Sequence, residues 1–209
     1  MVEVEYLMKA VRTIRGSVFA MAAFSLIAQA QNSTPPDANK EVDPHKMYQL
    51  AGFEVSGTRL PTNSVIRLSG LKVGQMVNYD LVNQACHRIT STGLVSLVDY
   101  AYILQPSKTA VVLSLKVTDE LPLLPSKVYP PEDASPIWAC LQSADPIFTR
   151  ELPNTRNALG FYSTNINRCL AEAGRSDAYA RTTVVCDRLG KASEIMFDIR
   201  ERPGAATRK

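Results

Sequence analysis

The sequence has 209 residues, of which 45% are hydrophobic and 21% are charged, a composition typical of a globular chain with one domain or two small ones. The formal net charge at pH 7 is only +3, and the basic residues do not cluster on one face. The sequence therefore lacks the electrostatic signature that is usual for a nucleic-acid-binding protein. Thirteen prolines against ten glycines indicate stiff rather than flexible connections.

The N-terminal segment has the pattern of a secretory signal peptide. A basic stretch from Lys9 to Arg15 precedes a run of apolar or small residues over Ser17–Ile27, and Ala28-Gln29-Ala30 supplies the small residues of a cleavage site. We therefore predict that 1–30 is a signal peptide that is removed. An uncleaved membrane anchor is the alternative, but the apolar run is shorter than the roughly 20 residues that span a bilayer.

The leader that follows is predicted to lack regular structure. Residues 31–47 include Asn32-Ser33-Thr34-Pro35-Pro36-Asp37, which has no apolar periodicity and offers little surface to bury. Two translation starts are consistent with the sequence, Met1 and Met8, because Met8 directly precedes the basic stretch.

A folded unit is predicted over 48–120, and it begins with a strand and a helix. The alternation of apolar and polar side chains in Phe53-Glu54-Val55-Ser56 is typical of a short strand. Thr62 or Asn63 can then cap a short helix that ends at Leu68.

A second helix and two further strands complete this unit. Asn78 is a favourable N-cap, apolar residues recur behind it at three- and four-residue spacing, and Gly93 ends the helix. Leu97–Gln105 and Thr109–Thr118 are predicted strands, the second with regular alternation. The order β-α-α-β-β predicts an α+β fold in which two helices cover one face of a three-stranded mixed sheet.

The same order of elements returns in a weaker form after Glu120. A proline-rich passage over 121–136 is predicted to be a linker, and a degenerate second copy of the unit is predicted over 137–202, followed by a tail at 203–209. The missing piece of the copy is its first strand, for which Lys127-Val128-Tyr129 is a short candidate. The remaining elements are predicted as helices at Pro136–Ala144 and Leu159–Ala173 and strands at Tyr179–Asp187 and Ala192–Arg200.

At this point the first unit resembles the POTRA (polypeptide-transport-associated) family. The most specific feature is the glycine-leucine step between the two helices, Gly70-Leu71-Lys72-Val73-Gly74, at its expected distance from both strands. The second unit resembles the family in element order only. The other matching segments are Phe53-Glu54-Val55-Ser56-Gly57, Thr92-Gly93-Leu94 and Val117-Thr118-Asp119-Glu120.

The resemblance implies a periplasmic protein that binds unfolded or partner polypeptides and needs no catalytic residue, cofactor or small-molecule substrate. Members usually precede an outer-membrane β-barrel, so a barrel protein is an expected partner. Too few residues follow Glu120 to form a barrel, and we expect either a relative without one or a truncated reading frame. The predicted function is a polypeptide-binding module of outer-membrane protein assembly or secretion. The alternative is a structural adaptor that holds envelope complexes together.

The strand after the two helices is the predicted partner-binding element. In this fold it lies at an edge of the sheet, where an extended segment of a client chain can pair with its free backbone groups. Tyr100 and Tyr102 share one face of this strand, and they either contact the client or simply cover the sheet. The predicted binding residues are Leu97, Val98, Asp99, Tyr100, Ala101, Tyr102 and Ile103.

Four cysteines lie in the part of the chain that is predicted to be exported, where an oxidising compartment permits disulfides. Cys86 lies on a helical apolar stripe and is predicted to be a buried small hydrophobe. Cys140 can pair with Cys169, and a Cys169–Cys186 pair is the alternative. Neither the cysteines nor the two histidines show the spacing of a metal site or a catalytic group, so an exported enzyme has little support.

Overall fold

A computed structural model describes residues 42–43 and 45–202. The predicted signal peptide, most of the predicted leader and the predicted tail at 203–209 lie outside the described residues. Among the described helices, none combines the length and the apolar character that crossing a membrane requires.

The first unit is a four-stranded sheet with two helices. Its strand order is β2-β1-β4-β3, with β1 parallel to β4 and β3 antiparallel to it. The predicted β-α-α-β-β order is confirmed, but the sheet has four strands rather than three, because a two-residue strand is too short to produce an alternation signal in the sequence. The elements are β1 (Tyr48–Ser56), α1 (Thr62–Ser69), β2 (Met76–Val77), α2 (Tyr79–Ser91), β3 (Val95–Leu104) and β4 (Ala110–Asp119).

Local sequence signals fix the ends of α2 and the inner face of β4. The Asn78 side chain accepts a hydrogen bond from the Leu81 backbone N–H at 3.1 Å, and Gly93 follows the helix with a φ of +71°, in the left-handed region that glycine adopts without strain. The alternating residues of β4 are almost completely buried and face the helices, in agreement with the alternation found in the sequence. These residues are Val111, Leu113, Leu115 and Val117.

The second unit repeats the same architecture. Its strand order is β6-β5-β8-β7, with β5 parallel to β8 and β7 antiparallel to it, so each sheet ends on the strand that follows its second helix. The elements are β5 (Leu123–Tyr129), α3 (Pro131–Ala144), β6 (Glu151–Pro153), α4 (Arg156–Glu172), β7 (Ala178–Cys186) and β8 (Ala192–Glu201).

The range 121–136, predicted as a linker, contains β5 and the first residues of α3. The candidate first strand at Lys127–Tyr129 is the second half of β5. This half pairs with β8, whereas Leu123–Pro125 pairs with β6. Pro125 thus lies where the strand changes partner, a position at which the missing N–H costs little. The flanking prolines had hidden the strand pattern.

An aromatic cluster forms the centre of the second unit. The Tyr162 ring is fully buried, with ring centroids 5.2 Å from Phe148, 6.1 Å from Phe197 and 6.4 Å from Trp138. Its hydroxyl accepts a hydrogen bond from the Thr149 backbone N–H and donates one to the Thr149 carbonyl oxygen. The polar tip is therefore satisfied, and it anchors the segment that leads into β6.

The two units are joined by close backbone contact. The Thr155 hydroxyl, which caps α4, donates a hydrogen bond of 3.2 Å to the carbonyl oxygen of Gly93, and Leu94 is buried in the core of the second unit. Asp145 accepts a hydrogen bond from Ser64 and forms a 2.8 Å ion pair with Arg67. The loop between α2 and β3 is therefore packed against the start of α4.

Candidate partner-binding edge

The predicted binding residues Leu97–Ile103 all lie in β3, the edge strand of the first sheet. Their side chains alternate between the two faces of the sheet, as the pleat of a strand requires. Leu97 and Ile103 are exposed on the face without helices, to 50% and 37% of their surface, whereas Val98 and Tyr102 are buried on the helix side. An added strand would meet a different set of side chains on each face.

The two tyrosines of β3 belong to the core side of the sheet. Tyr102 is only 3% exposed, and its ring centroid lies 6.5 Å from Tyr48 and 5.8 Å from Tyr100. The Tyr100 hydroxyl donates a 2.9 Å hydrogen bond to Asn83 of α2, and its ring packs on that of Tyr79. Burial raises the pKa of both β3 phenols, so they stay neutral. These contacts favour the sequence interpretation in which the tyrosines cover the sheet.

The backbone of β3 presents one set of groups to β4 and another set on the side away from β4. Gln105 donates from its backbone N–H to the Ala110 carbonyl oxygen at 2.9 Å, and the pairing continues without a shift as far as Leu97↔Thr118. Hydrogen-bonded and non-hydrogen-bonded pairs alternate in an antiparallel ladder. The outward-pointing N–H and C=O groups are therefore those of Val98, Tyr100, Tyr102 and Leu104.

Cys86 lies beneath this edge on α2. It is a free cysteine of intermediate exposure, partly packed against the first core, so the predicted full burial is only partly reached. Burial raises the pKa of its thiol to about 11, and the negative charge of Asp99 acts in the same direction. The group is thus a neutral, unreactive thiol at ordinary pH.

A disulfide joins the two helices of the second unit. Of the two pairings that the sequence leaves open, the structure contains Cys140–Cys169, with the two Cα atoms 6.0 Å apart. Both sulfur atoms lie within 4.8 Å of a carboxylate oxygen of Glu172. Sulfur atoms that are bonded to each other are not thiolates, so this group has no metal-binding character in the oxidised protein.

Two clefts flank β6, with volumes of about 590 Å³ and about 400 Å³. The smaller one contains Asp119, the carboxylate at the end of β4. Burial alone would raise the pKa of Asp119, but hydrogen bonds from Thr58 and Arg59 and the charge of Arg59 hold it below its usual value. This carboxylate is therefore engaged in fixing the loop after β1.

No protein-family model matches the sequence, and no curated protein matches it. Several solved structures do. The N-terminal domain of Omp85 from Thermosynechococcus elongatus is 18% identical over 74% of this chain and 63% of its own length, with a TM-score of 0.37. The chain thus spans less than two thirds of that domain.

Two further solved structures are POTRA domains by name. POTRA1-2 of the periplasmic domain of Omp85 from Anabaena is 13% identical over 76% of this chain and 98% of its own length, with a TM-score of 0.37. POTRA3-5 of BamA from Haemophilus influenzae is 15% identical over 76% and 68%, with a TM-score of 0.35. Solved structures similar to this chain thus include POTRA domains, the family that the sequence resembles.

Proposed function

We propose that this chain is a periplasmic polypeptide-binding module of outer-membrane protein assembly or secretion, and that it binds extended segments of client chains by adding them as a further strand to β3. The observation that supports this most strongly is the set of outward backbone groups at Val98, Tyr100 and Leu104. Main-chain hydrogen bonds to such an edge provide affinity with little dependence on client sequence. The side chains on the two faces of β3 add a modest preference.

An exported location agrees with the chemistry of the cysteines. The Cys140–Cys169 bond is of a type that persists in oxidising compartments and is rare in the cytosol. The predicted signal peptide at 1–30 points the same way. A β-barrel protein of the outer membrane is the partner that we propose beside the client chains, and the binding step needs neither a catalytic residue nor a cofactor.

A structural adaptor is the second candidate, and the junction between the two units favours it. Gly93 and Leu94 of the first unit are locked against Thr155 and the second core. Such a joint fixes the two units to each other, which suits a folded partner. An adaptor would bind one folded protein tightly, whereas a client receptor would bind many unfolded chains weakly.

Amide hydrogen exchange followed by NMR tests the edge directly. The probe is reduced and carboxymethylated α-lactalbumin, a chain that stays unfolded, added in excess to the whole protein. We expect the outward amides of Val98, Tyr100 and Leu104 to gain protection. The inward amides of Ala101 and Ile103, already bonded to β4, serve as internal controls and should not change.

Two results would count against strand addition at β3. Protection that is equal at inward and outward amides would indicate a general stabilisation of the fold rather than a new strand. Protection that is confined to the clefts beside β6 would move the binding site to the junction. If the unfolded probe changes no amide while a folded envelope protein does, the adaptor function is the better description.

A further inference from the structure

The second sheet has an edge strand equivalent to β3, namely β7. Arg202 donates from its backbone N–H to the Asp177 carbonyl oxygen at 2.8 Å, and the pairing of β7 with β8 starts beside it at Ala178↔Glu201. The same alternation therefore leaves the backbone groups of Ala178, Ala180, Thr182 and Val184 pointing away from the sheet. By topology alone, each of the two described sheets would be open at the strand that follows its second helix, β3 in the first sheet and β7 in the second.

The β7 edge is not open at its centre, however. The outward N–H of Ala180 donates a 2.7 Å hydrogen bond to the Asn167 side-chain oxygen, from α4. One turn earlier on the same helix, the Ser163 hydroxyl is 2.6 Å from the Thr182 hydroxyl. Two side chains of α4 thus reach the β7 edge, and one of them occupies a donor that an incoming strand would need.

The first unit has a different residue at the corresponding helical position. Gly93 and Gly174 end α2 and α4 with φ values of +71° and +78°, and counting back equally from each glycine gives Cys86 and Asn167. A thiol is a weak hydrogen-bond partner, whereas an amide oxygen is a strong acceptor. Among the described residues, no side chain accepts a hydrogen bond from the backbone N–H of Tyr100 or Leu104.

We propose that Asn167 closes the β7 edge, so that, of the two equivalent edge strands β3 and β7, only β3 accepts an added strand. Closure of β7 stands on its own geometry; the consequence for clients rests on the proposed function. An incoming strand at β7 must first break the bond between Asn167 and Ala180, whereas at Tyr100 and Leu104 of β3 no described side chain accepts from the backbone N–H. Exposed edges invite unwanted pairing, and a side chain that occupies an edge donor is one way to suppress it.

The closure is tested in the free protein by amide exchange in the Asn167→Ala variant. Loss of one buried hydrogen bond, about 1 kcal/mol, should speed exchange of the Ala180 amide by about fivefold. Asn165→Ala is the matched control. Its side chain lies on the same helix but bonds the Phe161 carbonyl, so Ala180 should exchange as in wild type. If Ala180 is unprotected in the wild type, or unchanged in Asn167→Ala, closure is wrong.

The consequence for clients is tested with the carboxymethylated α-lactalbumin probe. We expect protection at β3 only in the wild type, at both β3 and β7 in Asn167→Ala, and reduced protection at β3 in Cys86→Asn. Protection of both edges in the wild type would overturn confinement to β3. Protection of β3 without a gain at β7 in Asn167→Ala would overturn it as well, while leaving the proposed function intact. No protection at either edge in any variant would reject the proposed function, and the free-protein exchange rate of Ala180 would still decide closure.

Discussion

The Gly93→Ala substitution probes the joint between the two units. A Cβ atom at this position would lie 2.5 Å from the Ala158 backbone nitrogen, 2.6 Å from the Thr155 hydroxyl oxygen and 2.7 Å from the Asn157 Cβ atom. All three distances are below van der Waals contact, and two of the three atoms belong to a helix start that has little freedom to move. Either α4 shifts away from the first unit, or the loop after α2 changes its conformation.

The expected cost has two parts. Placing alanine in the left-handed region costs about 1–2 kcal/mol, and overpacking against a rigid neighbour costs roughly a further 1–3 kcal/mol. We therefore expect a loss of about 2–5 kcal/mol in the free energy of unfolding, including the weakened bond from Thr155 to the Gly93 carbonyl.

Gly174→Ala is the matched control for this prediction. Gly174 also follows a helix, with a φ of +78°, but a Cβ there would meet nothing within 4 Å. Gly174→Ala should lower the free energy of unfolding only by the cost of placing alanine in the left-handed region, about 1–2 kcal/mol. Urea unfolding monitored by circular dichroism gives the two values, and the single tryptophan, Trp138, reports on the second unit separately. Equal losses in the two variants would refute the close packing of the joint.

Two further predictions concern the second unit and the end of the first. Replacing both Cys140 and Cys169 by serine should lower the free energy of unfolding by about 3–4 kcal/mol, since the bond closes a loop of sequence separation 29; denaturant midpoints that do not change would show that the bond is not structural. The lowered pKa of Asp119 implies a stabilisation that is present above its unfolded pKa of 3.8 and disappears as the pH falls through the lower folded value. Asp119→Asn should therefore be less stable than wild type at pH 6 and approach it at pH 2, and a pH-independent difference would contradict this origin.

The first unit could be predicted from sequence because its signals are local. The alternation in β4, the N-cap at Asn78 and the helix-ending Gly93 each act over a few residues, and each was found where the structure has it. The short strands β2 and β6 were missed, since two or three residues carry no period. Pro125 hid the first half of β5, because proline inside a run normally argues against a strand.

The candidate edge was only partly predictable for a related reason. That β3 lies at an edge follows from topology, and its alternation placed Tyr100 and Tyr102 on one face. Which face that is depends on contacts with Tyr48 and Asn83, far away in the chain. The hydrogen bond from the Ala180 backbone N–H to the Asn167 side chain connects β7 to α4. Hydrophobic periodicity in the sequence carries no information about such a contact, so it could not be predicted.

A chain with two units of the same fold risks self-association through its edge strands, and the difference between Cys86 and Asn167 bears on that risk. Two open edges on one rigid pair would let two copies of the chain join through their sheets, since edge strands pair with little sequence preference. If Asn167 closes β7, self-association by this route can use only β3, and a bound client blocks it. Through β3 alone the wild type can form at most a pair of chains, whereas Asn167→Ala, with β3 and β7 both open, should form assemblies larger than a pair at high concentration in the absence of client. An Asn167→Ala variant that forms nothing larger than the wild type does by sedimentation, at concentrations where exchange shows an open β7 edge, would argue against this role.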